Sequence, residues 1–342
     1  MHASYVFDRA DLAAKVDRFQ GAKVLLVGDV MLDEYLEGDA ERISPEAPIP
    51  IVKVAESRFL LGGVGNVARN IASLGGKAHL VGVCGEDAKG AIIRTILAEE
   101  GVRENLEYLR NRPTTLKTRV IARNQQMLRI DHEDVSPLAA TETAVLLEAV
   151  KKVIDEYSVI VVSDYGKGVV SRELMQGITS LRDASRSKPR ILVDPKTPNF
   201  VFYTDVFIMT PNAKETSEAA NMPARDREEI LAAGRTILRN LGCERLLTTL
   251  GANGMALFLS ENEVWHIPTA AQKVFDVTGA GDTVMATLAL CLASGLGLLD
   301  SCVLANYAAG IVVAEIGAST VRKPALLEAL AKTKAPAISR WA

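Results

Sequence analysis

The chain is poor in cysteine, and the thiols that it has form no pattern. Its 342 residues include four cysteines, each in an apolar stretch and none in a CxxC pair. Such cysteines are typical of buried thiols in a reducing compartment, whereas a disulfide framework or a zinc site needs paired spacing. The four histidines are also scattered and show no metal-ligand spacing.

Long apolar runs and an excess of basic charge are also missing. The most apolar stretch, residues 284–299, is short and interrupted by Thr287, Ser294 and two glycines, which makes it a poor membrane span. Charges at Asp8 and Arg9 argue against a signal peptide. The net charge of −3 argues against a protein whose main partner is nucleic acid, while leaving room for a local basic pocket. We therefore expect a cytoplasmic protein with neither a membrane nor a nucleic acid as its partner.

Signatures of several enzyme classes are absent as well. The sequence contains no GxSxG, HExxH or GxxxxGK[ST] motif, so serine hydrolase, zinc protease and P-loop readings find no support. What the chain does have is ample material for a buried core, because 48% of its residues are hydrophobic.

Predicted strands and helices follow a regular order. Residues 23–28 form an apolar run typical of a buried strand, and after Pro137 helices alternate with strands near residues 159–163, 191–194, 206–210 and 245–249. This alternation indicates a mainly parallel sheet covered on both faces, with ligands bound beyond the carboxyl ends of the strands. We expect one α/β domain over residues 1–342, a three-layer α/β/α sandwich.

Two segments depart from this alternation. Residues 116–121 and 127–131, joined through residues 123–126, predict a hairpin with one polar face, and residues 49–54 predict an isolated strand. Together they indicate a small β-sheet inserted into the α/β body, at about residues 34–60 and 107–133. We interpret this sheet as a lid.

The most informative segment is DVTGAGD, at residues 276–282. Its two glycines allow close approach of the backbone to a ligand, and the apolar run that follows predicts a helix whose first N–H groups attract an anion. Asp282 lies at the same helix end, where an ordinary aspartate pKa of about 3.9 keeps it ionised. An anion hole beside a carboxylate suits attack of a hydroxyl on a phosphate, although a capped Gly-rich helix start is the plain structural alternative.

Two segments earlier in the chain suit a sugar. Asp29 and Asp33 follow the strand at residues 23–28 and can accept from paired hydroxyls, unless they form a solvated turn. The segment GGVGN, residues 62–66, combines glycines with Asn66, which both donates and accepts. It equally fits a loop that ends in a helix cap.

The same glycines also fit a dinucleotide fingerprint. Gly63, Gly65 and Ala68 match GxGxxA, a predicted helix and strand follow, and Glu86 and Asp87 lie about 20 residues on. The strand before the motif is weak, however, and an NAD site leaves DVTGAGD unexplained. The dinucleotide interpretation is therefore the less favoured one.

Further motifs suit phosphates and a metal. Asn212 and Glu215, one helical turn apart, either hold Mg²⁺ through waters or form a helix capping box. The TLGANG segment at residues 249–254 is a strand end and turn that either faces a nucleotide or is an ordinary β-turn. SDYGKG and VDPK each set an acid and a lysine at a strand end, where the lysine neutralises phosphate or is a plain surface cation.

These motifs, in this order, resemble the ribokinase-like (PfkB) carbohydrate kinases from about residue 23 to about residue 323. Within that family, VGDVMLDEY, RISPEAPIPIVKV, NVARNIASLGG, ARNQQMLRID, VSDYGKG, VDPK and DVTGAGDTV are similar to the D-glycero-D-manno-heptose 7-phosphate kinases. The resemblance implies ATP- and Mg²⁺-dependent phosphorylation of D-glycero-β-D-manno-heptose 7-phosphate at O1, toward ADP-heptose and the lipopolysaccharide core. Many such kinases are fused to an adenylyltransferase, and we expect the stand-alone form.

The resemblance gives the motif residues roles. Asp282 becomes the general base, and the N–H groups of Gly279, Ala280 and Gly281 hold the transferred phosphate. Asn212 and Glu215 organise Mg²⁺. The residues assigned to the sugar phosphate are Asp29, Asp33, Gly62, Gly63, Asn66, Asp194, Lys53, Arg119, Lys167 and Lys196, with Arg69, Arg123 and Arg129 as further candidates for its 7-phosphate. The residues assigned to ATP are Asn212, Thr249, Gly251, Gly254 and Asn306.

Further expectations come with the family. Some relatives bind a monovalent cation such as K⁺ near the positions of Asp276 and Thr278, and lids in relatives often pair, which predicts a homodimer. Val64 and Gly65 stand where relatives commonly have two alanines, which bears on fine substrate geometry. The alternatives are another PfkB sugar kinase and a sugar-binding sensor without catalysis, against which the intact Asp282 argues.

Overall fold

The computed structural model describes residues 4–123, 125–315, 317 and 319–342. The strands are β1 (Ser4–Tyr5), β2 (Lys23–Gly28), β3 (Val30–Ile43), β4 (Pro50–Gly63), β5 (Lys77–Gly85), β6 (Arg103–Leu109), β7 (Leu116–Ala122), β8 (Gln125–His132), β9 (Val159–Ser163), β10 (Arg190–Asp194), β11 (Ile208–Met209), β12 (Arg245–Thr249), β13 (Met255–Ser260), β14 (Glu263–Ile267) and β15 (Ile338–Arg340). The helices are α1 (Arg9–Val16), α2 (Val64–Ser73), α3 (Ala88–Glu99), α4 (Ala140–Val153), α5 (Arg172–Ala184), α6 (Ala213–Ala220), α7 (Arg227–Leu241), α8 (Ala280–Ala293), α9 (Leu298–Val312) and α10 (Lys323–Lys332).

The larger sheet has the strand order β1-β15-β14-β13-β12-β11-β10-β9-β2-β5-β6. From β12 to β6 all neighbours are parallel, and the remaining pairs are antiparallel. From β2 the chain first extends the sheet on one side through β5 and β6, and then on the other side from β9. The neighbouring strands β2 and β9 therefore form a topological switch point, where a crevice opens at the carboxyl ends of the strands.

Helices cover both faces of this sheet, as the sequence predicts. Alternate side chains of β2 point into two separate cores: Val24 and Leu26 pack with α2, α8 and α9, whereas Leu25 and Val27 pack with α4, α5 and α7. A parallel strand that is buried on both faces needs a continuous apolar sequence, which is what residues 24–27 supply. The expected three-layer α/β/α sandwich is confirmed.

A second, four-stranded sheet has the order β4-β3-β7-β8. β3 and β4 are 14-residue antiparallel partners, and β7 lies parallel to β3 with Asp33 opposite Lys117 and Tyr35 opposite Arg119. The sequence pattern does not predict β3, and it predicts residues 49–54 as an isolated strand. The reason is that acidic residues and a glycine interrupt the apolar pattern of the long hairpin. Asn124, in the predicted turn between β7 and β8, lies outside the described residues.

The boundary predicted for the second insertion needs a correction. Residues 107–109 belong to β6, which pairs with β5 at the edge of the larger sheet, and the small sheet resumes only at Leu116. The polar alternation of β6 reflects its place at a sheet edge, where one face meets water.

The sheet topology contradicts the dinucleotide-binding interpretation of the GGVGN segment. The strand before the GGVGN glycines is β4, an antiparallel strand of the small sheet, so β4, α2 and β5 do not form a βαβ unit in one sheet. Asp87, the supposed ribose ligand, caps α3 by accepting from the backbone N–H of Gly90.

Within the described ranges, no helix has both the length and the apolar character needed to cross a membrane.

Candidate active site

Helix α8 brings the DVTGAGD segment to the crevice. All its side chains from Asp282 to Leu292 are buried, and it packs against β2, β9 and β10 and against α2 and α9. Because the helix is apolar on every side, it runs through the core, and only its first turn borders the crevice. Gly279, just before the helix, has a φ of 78°, a left-handed conformation that disfavours any side chain.

The first turn of α8 is the predicted anion site. N–H groups in a first helical turn have no acceptor within the helix and lie at its positive end. Of the three N–H groups assigned to the phosphate, that of Ala280 donates to the carbonyl oxygen of Val277 at 3.2 Å. Apart from its chain neighbours and the backbone of its own helix, no described atom lies within 4 Å of the Cβ position of Gly281, so this side of the residue is open to a ligand. Gly279 and Gly281 are therefore the better-placed donors.

Asp282 lies at the centre of the site. It is 5% exposed, and its carboxylate accepts from Asn66 Nδ2 at 2.7 Å and from the Tyr165 hydroxyl at 2.5 Å. Burial raises the pKa of Asp282 to about 6, although these two hydrogen bonds oppose the rise, and the charge of Asp33 adds to it. This corrects the ordinary aspartate pKa assumed from sequence: the carboxylate is still mostly ionised at pH 7, but it is a stronger proton acceptor.

Asn66, on α2, is 2% exposed and uses its amide nitrogen for Asp282. Its Oδ1 is buried and has no hydrogen-bond partner among the described residues. A buried acceptor without a donor is costly, so this oxygen marks a place where a ligand hydroxyl fits.

Asp33 lies inside β3 rather than in a turn after β2. Its Oδ1 accepts from Arg119 Nη1 at 2.5 Å, and the guanidinium of Arg119 lies 5.2 Å from the ring centre of Tyr35. A Cβ at Gly62 would come within 2.5 Å of Asp33 Oδ2, so the glycine gives this carboxylate its place. The structure thus brings Asp33, Gly62 and Arg119 together, and the charge of Asp33 acts on Asp282.

Asp29 has a different environment from the one predicted. It is 1% exposed, and its carboxylate accepts three backbone N–H groups, from Tyr165 at 2.7 Å, Lys167 at 3.1 Å and Val169 at 3.2 Å. Burial and the nearby charge of Asp164 raise the pKa of Asp29 to about 6. The assignment of Asp29 to sugar hydroxyls is therefore corrected, because its oxygens hold a loop instead.

Gly63 also has a packing role. With a φ of 57°, it sits where a Cβ would come within 2.4 Å of the carbonyl oxygen of Asp29. Only glycine fits this left-handed position against the backbone.

A cavity of about 570 Å³ opens beside the first turn of α8. It is lined on one side by the predicted nucleotide residues Asn212, Glu215, Thr249 and Gly251, and on another by Gly281. A cavity that connects these segments to the helix N-terminus suits the phosphates of a nucleotide.

Two residues assigned to the sugar line this cavity instead of grouping with Asp33. Asp194 accepts from Thr210 Oγ1 at 3.2 Å, and burial, followed by the charges of Asp282 and Glu215, raises its pKa well above the ordinary value. The ammonium of Lys196 lies 3.7 Å from Glu215 Oε1. Asp194 ends β10 and Lys196 follows it, on the nucleotide side of the switch point.

The helix-capping alternative for Asn212 is also present. Asn212 Oδ1 accepts from the N–H of Glu215 at 2.9 Å, and the N–H of Asn212 donates to Glu215 Oε2 at 3.0 Å. The described residues contain no cluster of three or more His, Cys, Asp or Glu arranged for a metal ion. The donor set fits Mg²⁺ only as a few carboxylate and amide oxygens supplemented by water and phosphate, which is usual for that ion.

Three predicted ligands do not line the cavity. A Cβ at Gly254 would meet the carbonyl oxygen of Ile267 at 2.1 Å, so this glycine serves the packing of a turn. Asn306 is 3% exposed, donates to the carbonyl oxygen of Pro268 at 2.7 Å and accepts from the N–H of Ala270 at 3.3 Å, which places it as a loop anchor. Lys53 is exposed on β4 opposite Asp39, about 20 Å along the hairpin from Asp33.

Asp276 and Thr278 are joined to each other. Thr278 donates to Asp276 Oδ1 from its N–H at 2.9 Å and from its hydroxyl at 2.7 Å, and the N–H of Gly317 donates to Oδ2 at 3.0 Å. Burial alone would raise the pKa of Asp276, but these donors and the charge of Arg119 lower it. The monovalent cation near these residues stays a prediction.

Lys167 lies at the switch point with its ammonium 2.7 Å from Glu133 Oε1, and Lys117 contacts the other oxygen of Glu133 at 3.4 Å. The sequence analysis predicted no role for Lys117, Glu133 or Tyr165. Tyr165 had a signal, since it comes two residues after β9, in an SDYGKG motif at a strand end. No local sequence pattern predicts the role of Glu133, because its partners Lys117 and Lys167 lie 16 and 34 residues away in the chain.

Comparisons with known proteins agree with this architecture. The sequence profile of the pfkB family carbohydrate kinases matches residues 22–325. The "Bifunctional protein HldE" of Syntrophotalea carbinolica is 41% identical over 325 residues, which cover 95% of this chain and 66% of that protein. The protein of the same name from Trichlorobacter lovleyi is 43% identical over 324 residues, 94% of this chain and 66% of that protein. The chain thus spans slightly less than two thirds of the length of these curated relatives.

Solved structures show the same fold. Phosphofructokinase-2 from Escherichia coli in complex with potassium superposes with a TM-score of 0.77 at 23% identity, covering 91% of this chain and 99% of that chain. Arabidopsis thaliana ribokinase complexed with ribose and ATP gives a TM-score of 0.72 at 21% identity, with the same coverage. Together with the profile match, these findings place the chain in the pfkB family of carbohydrate kinases, as a sugar kinase.

Proposed function

We propose that the protein transfers the γ-phosphoryl group of MgATP to O1 of D-glycero-β-D-manno-heptose 7-phosphate, giving the 1,7-bisphosphate for ADP-heptose and lipopolysaccharide core synthesis. The observation that carries the catalytic part is the meeting of Asp282, the unpartnered Oδ1 of Asn66 and the N-terminus of α8 beside the nucleotide cavity. The substrate rests on the resemblance of the sequence segments and on the 41–43% identity to the HldE proteins.

In this reaction Asp282 accepts the proton of the anomeric hydroxyl as O1 bonds to the γ-phosphorus. The bond between that phosphorus and the β–γ bridging oxygen breaks, and ADP leaves with the electron pair. The N–H groups of Gly279 and Gly281 donate to the phosphoryl oxygens as charge develops. Asn212 and Glu215 would hold Mg²⁺ through waters, and the bound ion would neutralise charge on the ATP phosphates.

The sugar lies on the other side of Asp282, between Asn66 and Asp33. Arg119, with its side chain only 15% exposed and bound to Asp33, is the cation best placed for the 7-phosphate, with Lys167 at the edge of the switch point. The distance along the hairpin removes Lys53 from the site of its own chain. An Arg is suited to a phosphate because its planar donors pair with two oxygens.

The small sheet acts as a lid and as a dimer surface in this proposal. Its outer strand β8 is exposed along its length, and apolar Leu128 and Ile130 are 55% and 51% exposed. Both side chains share a face with Val120 and Thr118, their partners on β7. A homodimer that pairs two lids would cover these groups. We place the enzyme in the cytoplasm, where ATP and sugar phosphates are present.

The test is ADP release from MgATP with a panel of heptose 7-phosphate, fructose 6-phosphate and ribose. Turnover should be strong on heptose 7-phosphate alone and fall by roughly a thousandfold or more in Asp282→Ala, since the base is lost. Asp155→Ala, which removes an exposed acid, is the matched control. Turnover on another sugar alone would overturn the substrate, and near wild-type turnover in Asp282→Ala would overturn the mechanism.

A further inference from the structure

The loop at residues 164–169 links the proposed base Asp282 to two buried carboxylates. One is Asp29, and the other is Asp164, the first residue of the loop. Asp29 accepts the N–H groups of Tyr165, Lys167 and Val169. Asp164 accepts from the N–H of Gly166 at 2.7 Å and, through its other oxygen, from the Tyr203 hydroxyl at 2.5 Å. Alternate residues of the loop are thus tied to one carboxylate, which fixes its backbone.

This loop carries one side chain to the base. The hydroxyl of Tyr165 donates to Asp282 Oδ1, and Asn66 Nδ2 donates to Oδ2, so each carboxylate oxygen has one side-chain donor among the described residues. A carboxylate with a donor on each oxygen cannot rotate without losing one of them. The orientation of its remaining lone pairs toward an incoming hydroxyl is therefore fixed before substrate binds.

We propose that Tyr165 is a positioning residue for the Asp282 carboxylate, and that Asp29 positions Tyr165 by holding the loop. The inference rests on the proposed role of Asp282 as the base. In this proposal Asp29 acts on the substrate only through Tyr165, whereas the sequence predicts that Asp29 contacts the sugar directly.

The surroundings of Asp282 disfavour its negative charge, which a neutral hydrogen-bond donor such as the Tyr165 hydroxyl stabilises. From β3 it faces Asp33, from the end of β10 it faces Asp194, and from α2 it faces the uncharged amide of Asn66. The charge of Asp33 disfavours the negative charge of Asp282, and the hydrogen bond from Tyr165 opposes this effect. Burial and the charge of Asp282 raise the pKa of Tyr165 well above its usual value, so the hydroxyl remains a donor and does not take the substrate proton.

The first experiment compares Tyr165→Phe with wild type in the pH dependence of kcat/KM. Loss of a hydrogen bond to the charged carboxylate should move the acid limb upward by roughly one pH unit. The plateau above it should fall by roughly tenfold, with KM for the sugar within about twofold, because only the base is displaced. Tyr157→Phe is the matched control: it removes a buried hydroxyl, bonded to His79 Nδ1 at 2.8 Å, at the opposite end of β9. If the acid limb of Tyr165→Phe lies at the same pH as that of Tyr157→Phe, the proposal is wrong.

The second experiment separates Asp29 from Asp33. Asp29→Asn should lower kcat by roughly tenfold with little change in KM for the sugar, whereas Asp33→Asn should chiefly raise that KM. A raised sugar KM in Asp29→Asn, with kcat unchanged, would show direct sugar contact and overturn its positioning role. Circular dichroism checks that Asp29→Asn folds, and the Tyr165→Phe result decides the main proposal whether or not it does.

A third measurement is independent of turnover, so it separates this inference from the proposed substrate. Asp282→Asn is introduced into wild type and into Tyr165→Phe, and the melting temperatures of all four proteins are recorded at pH 8 and pH 5. If Tyr165 donates to the charged carboxylate, the gain from Asp282→Asn is larger in the Tyr165→Phe background, and more so at pH 8. Equal gains in both backgrounds would refute the contact, even if the kinase acted on another sugar.

Discussion

The buried negative charge of Asp282, the proposed base, should destabilise the folded protein. Burial raises the pKa of Asp282 from 3.8 to about 6, so the folded protein binds this proton more tightly than the unfolded chain does. Between these two values the free energy of unfolding therefore falls as the pH rises. The difference corresponds to about 3 kcal/mol at pH 8, about half of that at pH 5, and almost nothing below the unfolded pKa.

Asp282→Asn removes the charge and keeps the shape. The new amide oxygen still accepts from Tyr165, and Asn66 can turn its unpartnered Oδ1 toward the new amide nitrogen. We therefore expect the variant to be inactive but more stable at pH 8, by up to about 3 kcal/mol. With an unfolding entropy of about 2.1 cal/mol/K per residue, 342 residues give about 0.7 kcal/mol/K, so the melting temperature should rise by up to about 4 °C.

The assay is guanidinium unfolding and thermal melting of both proteins from pH 5 to pH 8. Asp87→Asn is the opposite control: burial raises the pKa of Asp87, but the hydrogen bonds from Thr114 and Gly90 outweigh it and lower the pKa. Its charge stabilises the fold at every pH above the unfolded pKa of 3.8, so the loss in Asp87→Asn should stay nearly constant from pH 5 to pH 8. An Asp282→Asn gain that is absent at pH 8, or that does not shrink toward pH 5, would refute the reasoning.

Three further outcomes are expected. Arg119→Gln should raise KM for the sugar phosphate by roughly tenfold or more and leave KM for ATP unchanged, as steady-state kinetics will show, because it removes the cation bound to Asp33. Gly62→Ala should lower kcat/KM for the sugar by roughly a hundredfold, because its Cβ would come within 2.5 Å of Asp33 Oδ2 and 2.8 Å of Met31 Cγ and would displace the Asp33 carboxylate, and the melting temperature checks that the variant folds. Leu128→Glu should convert a lid-paired dimer into monomers in light scattering, and an unchanged mass would place any dimer contact elsewhere.

The sequence alone determined the class of fold and the type of chemistry. The apolar run at residues 24–27 is typical of a strand buried on both faces, and the alternation of later strands with helices predicts a parallel sheet with a ligand edge, both of which the structure has. The DVTGAGD segment combines a predicted anion-binding helix start with an acid within seven residues, so the local sequence was enough to propose Asp282 as the base. The capping box of Asn212 and Glu215 is likewise local, and both of its interpretations were available from the spacing.

Only the tertiary structure decided what each polar side chain faces. Asp29 and Asp33 are four residues apart and look alike in sequence, yet one is enclosed by the N–H groups of a loop about 136 to 140 residues away and the other meets Arg119 on the small sheet. The pKa of Asp282 depends on burial and on partners 117 and 216 residues away, which no local pattern encodes. Strand periodicity specifies which face a residue occupies, whereas the order of strands in the sheet decides which faces meet.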